Sequence, residues 1–212
     1  MSQLDTVNRI LDAAEVLFAE RGFTETSLRT ITSTAGVNLA AVNYHFGSKK
    51  ELIQAVFERF LTPFTESLDR ELNRRESQAQ LQVEDLLQSL YRVALAGLAR
   101  EGRDPKRFMR LLGLAYTQSQ GHLRRFIVSR YGASYRRFAG QLSGVLPQVD
   151  PVTFYWRLYF MLGATIFSLS SFDAIEAILR EDFGAVSSLD ETLARLAPAA
   201  VAMLTAPDVG AA

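Results

Sequence analysis

Apolar side chains recur along this chain at the three-to-four-residue spacing of one helix face, and few stretches show the alternation of a strand. Val7, Ile10, Leu11, Ala14, Leu17 and Phe18 mark a first helix that Gly22 ends. Thr26 stands where a cap would open a second helix, Ser27 to about Ala35, with Leu28 and Ile31 on its inner side. Gly36 fits the position at which a left-handed residue stops a helix, and Asn38 then caps a third helix ended by Gly47. Two short helices joined through Ala35-Gly36-Val37 have the spacing of a helix-turn-helix.

Ser48-Lys49-Lys50-Glu51 reads as a capping box that opens a fourth helix through Leu52, Val56, Phe57 and Phe60, kinked at Pro63 and continuing to about Arg74. The polar segment Arg74 to Gln82 predicts a loop. Further helices are expected over about Val83 to Ala99, Pro105 to Ser119, His122 to Leu146, Pro151 to Ser170 and Ser188 to Leu204, with Val209 to Ala212 frayed. The expectation is an all-α chain. It has a helix-turn-helix head over residues 1–47, the start of a linking helix over 48–60, and a helical ligand-binding and dimerisation bundle over 61–212.

Composition narrows the function. The 212 residues are 48% hydrophobic with 14 Phe, enough for a sizeable core. Lys+Arg and Asp+Glu number 23 each, so any polyanionic partner must be met by a local patch. The chain has no Cys and two His, which excludes disulfides and thiol chemistry and argues against a metal. No Gly-rich phosphate loop and no assembled nucleophile or acid–base set is visible, so neither an enzyme nor a cofactor is expected. The first dozen residues lack the apolar core of a signal peptide, and a cytoplasmic protein is expected. Phe154 to Leu169 is apolar but short for a membrane span and carries Arg157, so a buried helix or a subunit interface is preferred to a membrane. Residues 100–137 hold ten Arg and Lys against Glu101 and Asp104, which reads as a solvated basic face.

The third helix carries the candidate chemistry. At about 100° per residue, Leu39, Val42 and Phe46 fall together and are expected inward, while Ala40, Ala41 and Tyr44 fall opposite, flanked by Asn43 and His45. Small residues let a helix backbone press into a groove; Ala can touch a thymine methyl and Asn can pair with an adenine edge. Two lysines at the start of the next helix oppose its dipole, which favours acids there. Their presence is explained if Lys49 and the free N–H groups of that helix face a DNA phosphate.

The pattern Thr26-Ser27, Ile31, Ala35-Gly36-Val37, Tyr44-His45-Phe46 and Ser48-Lys49-Lys50-Glu51-Leu52, with Gly22-Phe23 before it, resembles the DNA-binding head of TetR-family bacterial transcription regulators over roughly residues 5–60. The resemblance implies phosphate contacts from Thr26, Ser27, Tyr44, His45 and Lys49 and a base contact from Arg29, joining Asn38, Ala40, Ala41 and Asn43 on the candidate DNA face. Residues 1–60 depart from a strongly basic head, with six Arg and Lys against seven Asp and Glu.

Two later stretches, Phe108 to Leu123 and Trp156 to Ser168, resemble the PsrA-type regulators of pseudomonads, which implies a fatty-acid-responsive repressor. An amphipathic ligand needs an apolar slot and a polar anchor. Phe108, Met109, Leu112, Tyr116, Trp156, Phe160 and Phe167 are the candidate lining, with Arg110 or Arg157 pairing the carboxylate of a long-chain fatty acid or acyl-CoA. A homodimer through 151–170 and 188–204 on a pseudopalindromic operator completes the expectation. The alternatives are a regulator of another apolar ligand, such as a drug efflux inducer, and a helical interaction or membrane-surface protein.

Overall fold

A computed structural model describes residues 3–76, 82–100, 102–118 and 121–207, with side chains described outside 94–100. Among the described residues the chain forms ten helices and no strand: α1 (Gln3–Glu25), α2 (Leu28–Ala35), α3 (Leu39–Phe46), α4 (Lys49–Glu76), α5 (Val83–Arg100), α6 (Pro105–Thr117), α7 (Gly121–Gly144), α8 (Pro151–Ser170), α9 (Phe172–Phe183) and α10 (Leu189–Thr205). Helices α1 to α3 form the helix-turn-helix head, and the later helices pack as a bundle.

Helical geometry in α1 breaks at Gly22, whose φ of 82° lies where only glycine is unstrained. The backbone turns there and sets up α2. The cap of α2 is Ser27, not Thr26: the Ser27 Oγ accepts from the Thr30 N–H at 3.0 Å. Gly36 closes α2 in the left-handed conformation, and the Asn38 Oδ1 caps α3 by accepting from the Ala41 N–H at 2.9 Å. Ser48 makes only the forward half of the expected box, accepting from the N–H groups of Lys50 and Glu51. The reciprocal box is formed at α10, between Ser188 and Glu191.

Two apolar cores result. The first joins Ile10, Ala14, Phe18, Phe23, Ile31, Val42, Leu52, Phe57 and Phe60 from the head and α4 with Phe108 and Leu111 of α6 and Leu123 and Tyr131 of α7. It therefore does not end at residue 60. The second is built from Leu68 and Leu72 of α4 with α5, α7, α8 and α10. Met109 packs against both.

Charged groups fasten α1 to α4 and α6 at the edge of the first core. Glu15 of α1, with its side chain 5% exposed, lies 2.9 Å from Arg107, 3.4 Å from Arg103 and 3.8 Å from Arg59. At the other end of α6, Gln118 accepts from the Phe23 N–H at 3.2 Å, and its amide lies against Gly22, where a Cβ would come within 2.7 Å of it. Helix α6 thus lies along α1 and is tied to it at both ends.

Three expectations change. α4 passes through Pro63 and reaches Glu76, so Arg74 to Glu76 is helix and not loop; Glu71 pairs with Arg74 and Arg75 one turn on, and these bonds hold its carboxyl down at about 2. The remainder of that anticipated loop, Ser119 at the expected end of α6, and the tail Val209 to Ala212 lie outside the described residues. Helix α9 is an element the expectation lacks, although Phe172, Ile175 and Leu179 recur at helical spacing and are half-buried. Helix α8, at 20 residues, is long and apolar enough by composition to cross a membrane. Its apolar side chains divide between the second core and an exposed face.

Candidate nucleic-acid interface and ligand groove

Val42, with no exposure, anchors α3, while Ala41 and Phe46 are half-buried against the first core. Opposite Val42 stand Ala40 and Tyr44, the latter 76% exposed, with Asn38 and Asn43 exposed beside them. His45 is half-buried and meets Tyr44 and Phe46 edge-on, with ring centroids 5.0 and 6.4 Å apart. Arg29 and Ser27 project from the start of α2 as exposed residues. These residues make a convex ridge of one bare backbone stretch, two amides, a phenol, a guanidinium and a hydroxyl, the shape and chemistry that enter a major groove.

Four residues stand differently from the expectation. Leu39, expected inward, is 38% exposed, because only Val42 is fully buried and the first turn of α3 lies beyond the edge of the core. Ala41, expected outward, sits on the flank, about 100° from Val42, and packs inward. Thr26, expected at a phosphate, has a fully buried side chain whose hydroxyl donates to the carbonyls of Gly22 and Leu17 at 2.8 and 3.1 Å. It fastens the bend between α1 and α2 and cannot reach a phosphate. Lys49 is half-buried, and its Nζ lies over the end of α1, 3.4 Å from the Thr24 carbonyl. Burial there lowers its pKa, with the nearby Glu25 charge opposing. The second lysine, Lys50, is exposed.

The anticipated ligand residues do not converge. Phe108 lies inside the first core, stacked on Phe60 at 4.9 Å and edge-on to Phe57 at 6.3 Å, with Leu112 half-buried against the same core and Met109 at the seam. Tyr116, Trp156, Phe160 and Phe167 are 57 to 65% exposed on the outer surface. Arg157 is buried, but its Nη1 donates to the Leu204 carbonyl at 3.0 Å, so it closes the end of α10. Arg110 is exposed; its Nε donates to the Ser170 carbonyl at 3.0 Å and its guanidinium lies 3.6 Å from Asp173. Neither arginine heads an apolar slot, because helical spacing reports that a residue is apolar without reporting what it faces.

A concavity that spacing did not indicate lies between α5 and α10. It holds about 430 Å³ and is walled by Tyr91, Leu193, Ala197, Pro198 and Val201, with Gln88, Arg92 and the carboxylates Glu84 and Asp190 at its rim. The Tyr91 hydroxyl reaches through to the Thr165 hydroxyl of α8, 3.2 Å away, and burial raises its pKa. Its sequence signal is weak: Tyr91-Arg92 follows the polar positions Glu84, Asp85 and Gln88 in a helix whose aliphatic side chains read as core.

Comparison with known proteins follows the same division. Residues 10–56 match the model of the bacterial regulatory proteins of the tetR family, and residues 88–203 match that of the tetracyclin repressor-like C-terminal domain. The probable HTH-type transcriptional regulator YttP of Bacillus subtilis is 29% identical over 89 residues, 42% of each chain. The HTH-type transcriptional regulator TtgR of Pseudomonas putida is 41% identical over 54 residues, 26% of each chain. These matches span less than half the length of the curated relatives. Among solved structures, a TetR-like transcriptional regulator from Rhodococcus sp. RHA1 superposes with a TM-score of 0.59 at 20% identity, covering 95% of this chain and 97% of that one. The fatty acid degradation regulator FadR from Bacillus halodurans does so with a TM-score of 0.59 at 16% identity, covering 95% of both. The fold is shared along nearly the whole chain, and the sequence likeness to the curated relatives is local.

Proposed function

This chain belongs to the tetR family of bacterial transcription regulators, which are not enzymes, and from that premise we propose that it is a cytoplasmic repressor that binds a pseudopalindromic operator as a homodimer. The observation that carries the DNA reading is the ridge of α3, with Tyr44 76% exposed and only small or amide side chains around it. A helix of eight residues reads few base pairs, so two heads must reach successive major grooves, ~34 Å or a multiple apart. Ser27, Arg29, Asn38, Ala40, Asn43, Tyr44 and His45 contact the duplex, and Lys49 exchanges the Thr24 carbonyl for a phosphate when DNA arrives. The exposed aromatic face of α8 supports dimerisation, and α10 lies beside it.

The ligand is a long-chain fatty acid or its CoA thioester, which releases the repressor from DNA. The reading rests on the resemblance of Phe108 to Leu123 and Trp156 to Ser168 to the fatty-acid-responsive regulators, and FadR shares the fold. The seat moves from the anticipated slot to the groove between α5 and α10, whose size suits a ligand of this class. Arg92 there is the cation for an acyl carboxylate, and Tyr91 joins the groove to α8. A ligand that binds both states equally shifts nothing, so it must favour the form that leaves DNA. The route to the head runs through α8 to α6, and from α6 to α1 by Arg107 to Glu15 and Gln118 to Phe23.

Oleate and oleoyl-CoA titrated into the protein–operator complex in a gel shift, with a short-chain acid as control, test this. Release by the long-chain forms alone is expected, within the ~5–150-fold range of such coupling, and Arg92→Ala loses the response to ligand while keeping operator binding. Release by neither long-chain form removes the fatty-acid reading and leaves DNA binding standing.

A further inference from the structure

Helix α1 breaks at Gly22, and a break in a helix orphans a donor. In an unbroken helix the Phe23 N–H would bond the Ala19 carbonyl, four residues back. With Gly22 at φ 82° and ψ 168° it points elsewhere, and the acceptor it meets, at 3.2 Å, is the side-chain oxygen of Gln118. That residue belongs to the bundle, 95 positions further on. Its place is prepared from both sides. Its own N–H donates to the Leu114 carbonyl at 2.8 Å and closes α6, so its side chain stands on the fixed end of a helix. Gly22 leaves it room, since a Cβ there would come within 2.7 Å of its amide nitrogen.

We propose that Gln118 is a positioning residue for operator binding: the acceptor it supplies to the Phe23 N–H holds the bend between α1 and α2 at the angle the DNA face needs. This rests on the DNA reading above. The bend leads directly to that face. Phe23, 1% exposed, pins it in the first core, and Thr26 ties it from within through the Gly22 and Leu17 carbonyls. Ser27 comes next and caps α2, and Arg29 stands exposed in the first turn of that helix. A rotation of the backbone at Gly22 and Phe23 therefore carries both residues across the groove. The Thr26 bonds stay inside the head, whereas the Gln118 bond refers the angle of the bend to the bundle.

The other tie between these helices cannot set that angle. Glu15, with its guanidinium partners, lies about two turns before Gly22 in regular helix, so it fixes the rod of α1 and leaves the direction of the chain beyond the break open. Gln118 acts at the break itself, and its mounting is firm. Phe108 of α6 stacks on Phe60, and α6 approaches α8 so closely that a Cβ at Gly113 would lie 3.2 Å from the Ile166 side chain. Gln118 is half-buried and neutral, and its oxygen is taken by Phe23, which suits a support and not a phosphate contact. The head expected over residues 1–47 is thus completed by a side chain at position 118.

Full-length variants test this. Gln118→Leu keeps the size of the side chain and removes the acceptor, Gln118→Asn keeps the amide one methylene short of its partner, and Gln118→Glu restores an acceptor. Each is titrated against a duplex from upstream of its own gene and against a random duplex of equal length, and hydrogen exchange is followed over residues 19–27. Gln118→Leu and Gln118→Asn are expected to speed exchange there and to lower affinity for the upstream duplex about ten-fold, the size of one lost hydrogen bond to a partly buried N–H. Affinity for the random duplex moves less than two-fold and the salt dependence keeps its slope, because no phosphate contact is lost. Gln118→Glu recovers most of the protection and most of the affinity. Variants that unfold at a lower temperature yet bind the upstream duplex within two-fold of wild type make the bond a stability contact and overturn the proposal, as does an equal loss on both duplexes. A wild-type chain that binds the upstream duplex no better than the random one overturns the DNA reading and this proposal together.

Discussion

Two helix faces of this molecule are left open to solvent, and they are open in opposite ways. The α3 face is nearly bare: Ala40, two asparagines and one phenol around a backbone held by the single buried Val42. The α8 face carries Val152, Tyr155, Trp156, Tyr159, Phe160 and Phe167, all 44 to 68% exposed. A face that must follow the floor of a groove gains by having little on it, since each added atom holds the backbone away from base edges. A face that must bind its own copy gains by area, since attraction there scales with apolar surface removed from water. Exposure alone does not identify an interface; the size of what is exposed tells which kind of partner it fits.

The contrast can be broken from either side. Trp156→Asp/Phe160→Asp places two carboxylates in the middle of the α8 face and is expected to weaken the dimer by about 4 kcal/mol, roughly a thousand-fold. Sedimentation reads it, and a chain that stays dimeric has its interface elsewhere. Ala40→Glu forces a carboxylate against phosphates and base edges and is expected to lower operator affinity by about 3 kcal/mol, on the order of a hundred-fold, with the dimer untouched. Position 40 is the sharper choice than 41, because Ala41 packs inward and its replacement also disturbs the head. The smallest effect is that of Lys49→Ala, which should flatten the salt dependence of binding by about one counterion per head for every DNA sequence alike. An unchanged slope would make Lys49 a residue of the head's own packing, held at the Thr24 carbonyl.

Local signals are legible in the sequence and long-range ones are not. Gly36, Asn38 and the spacing of Ile31 and Val42 are decided within a few residues of themselves, so the helix-turn-helix can be read directly. Thr26 and Ser27 are adjacent hydroxyls, either of which can cap; which one turns inward depends on where the Leu17 and Gly22 carbonyls arrive. The aromatics of α8 can be recognised as a stripe, but core, ligand slot and interface all show that period. The arginines fail as anchors because their partners, Leu204 and Asp173, lie 47 and 63 positions away. Helix α9 is legible as well, in the helical spacing of Phe172, Ile175 and Leu179, and goes unread beside the longer apolar run of α8.

The bond from Arg157 to the Leu204 carbonyl has a practical side. That carbonyl is among the last of α10, which have no partner inside the helix, and the guanidinium that takes it also meets the negative end of the helix dipole. The chain is therefore stitched shut just before α10 ends at Thr205. Trimming back past Leu204 takes this acceptor away from a buried guanidinium, and is expected to lower the temperature of thermal unfolding.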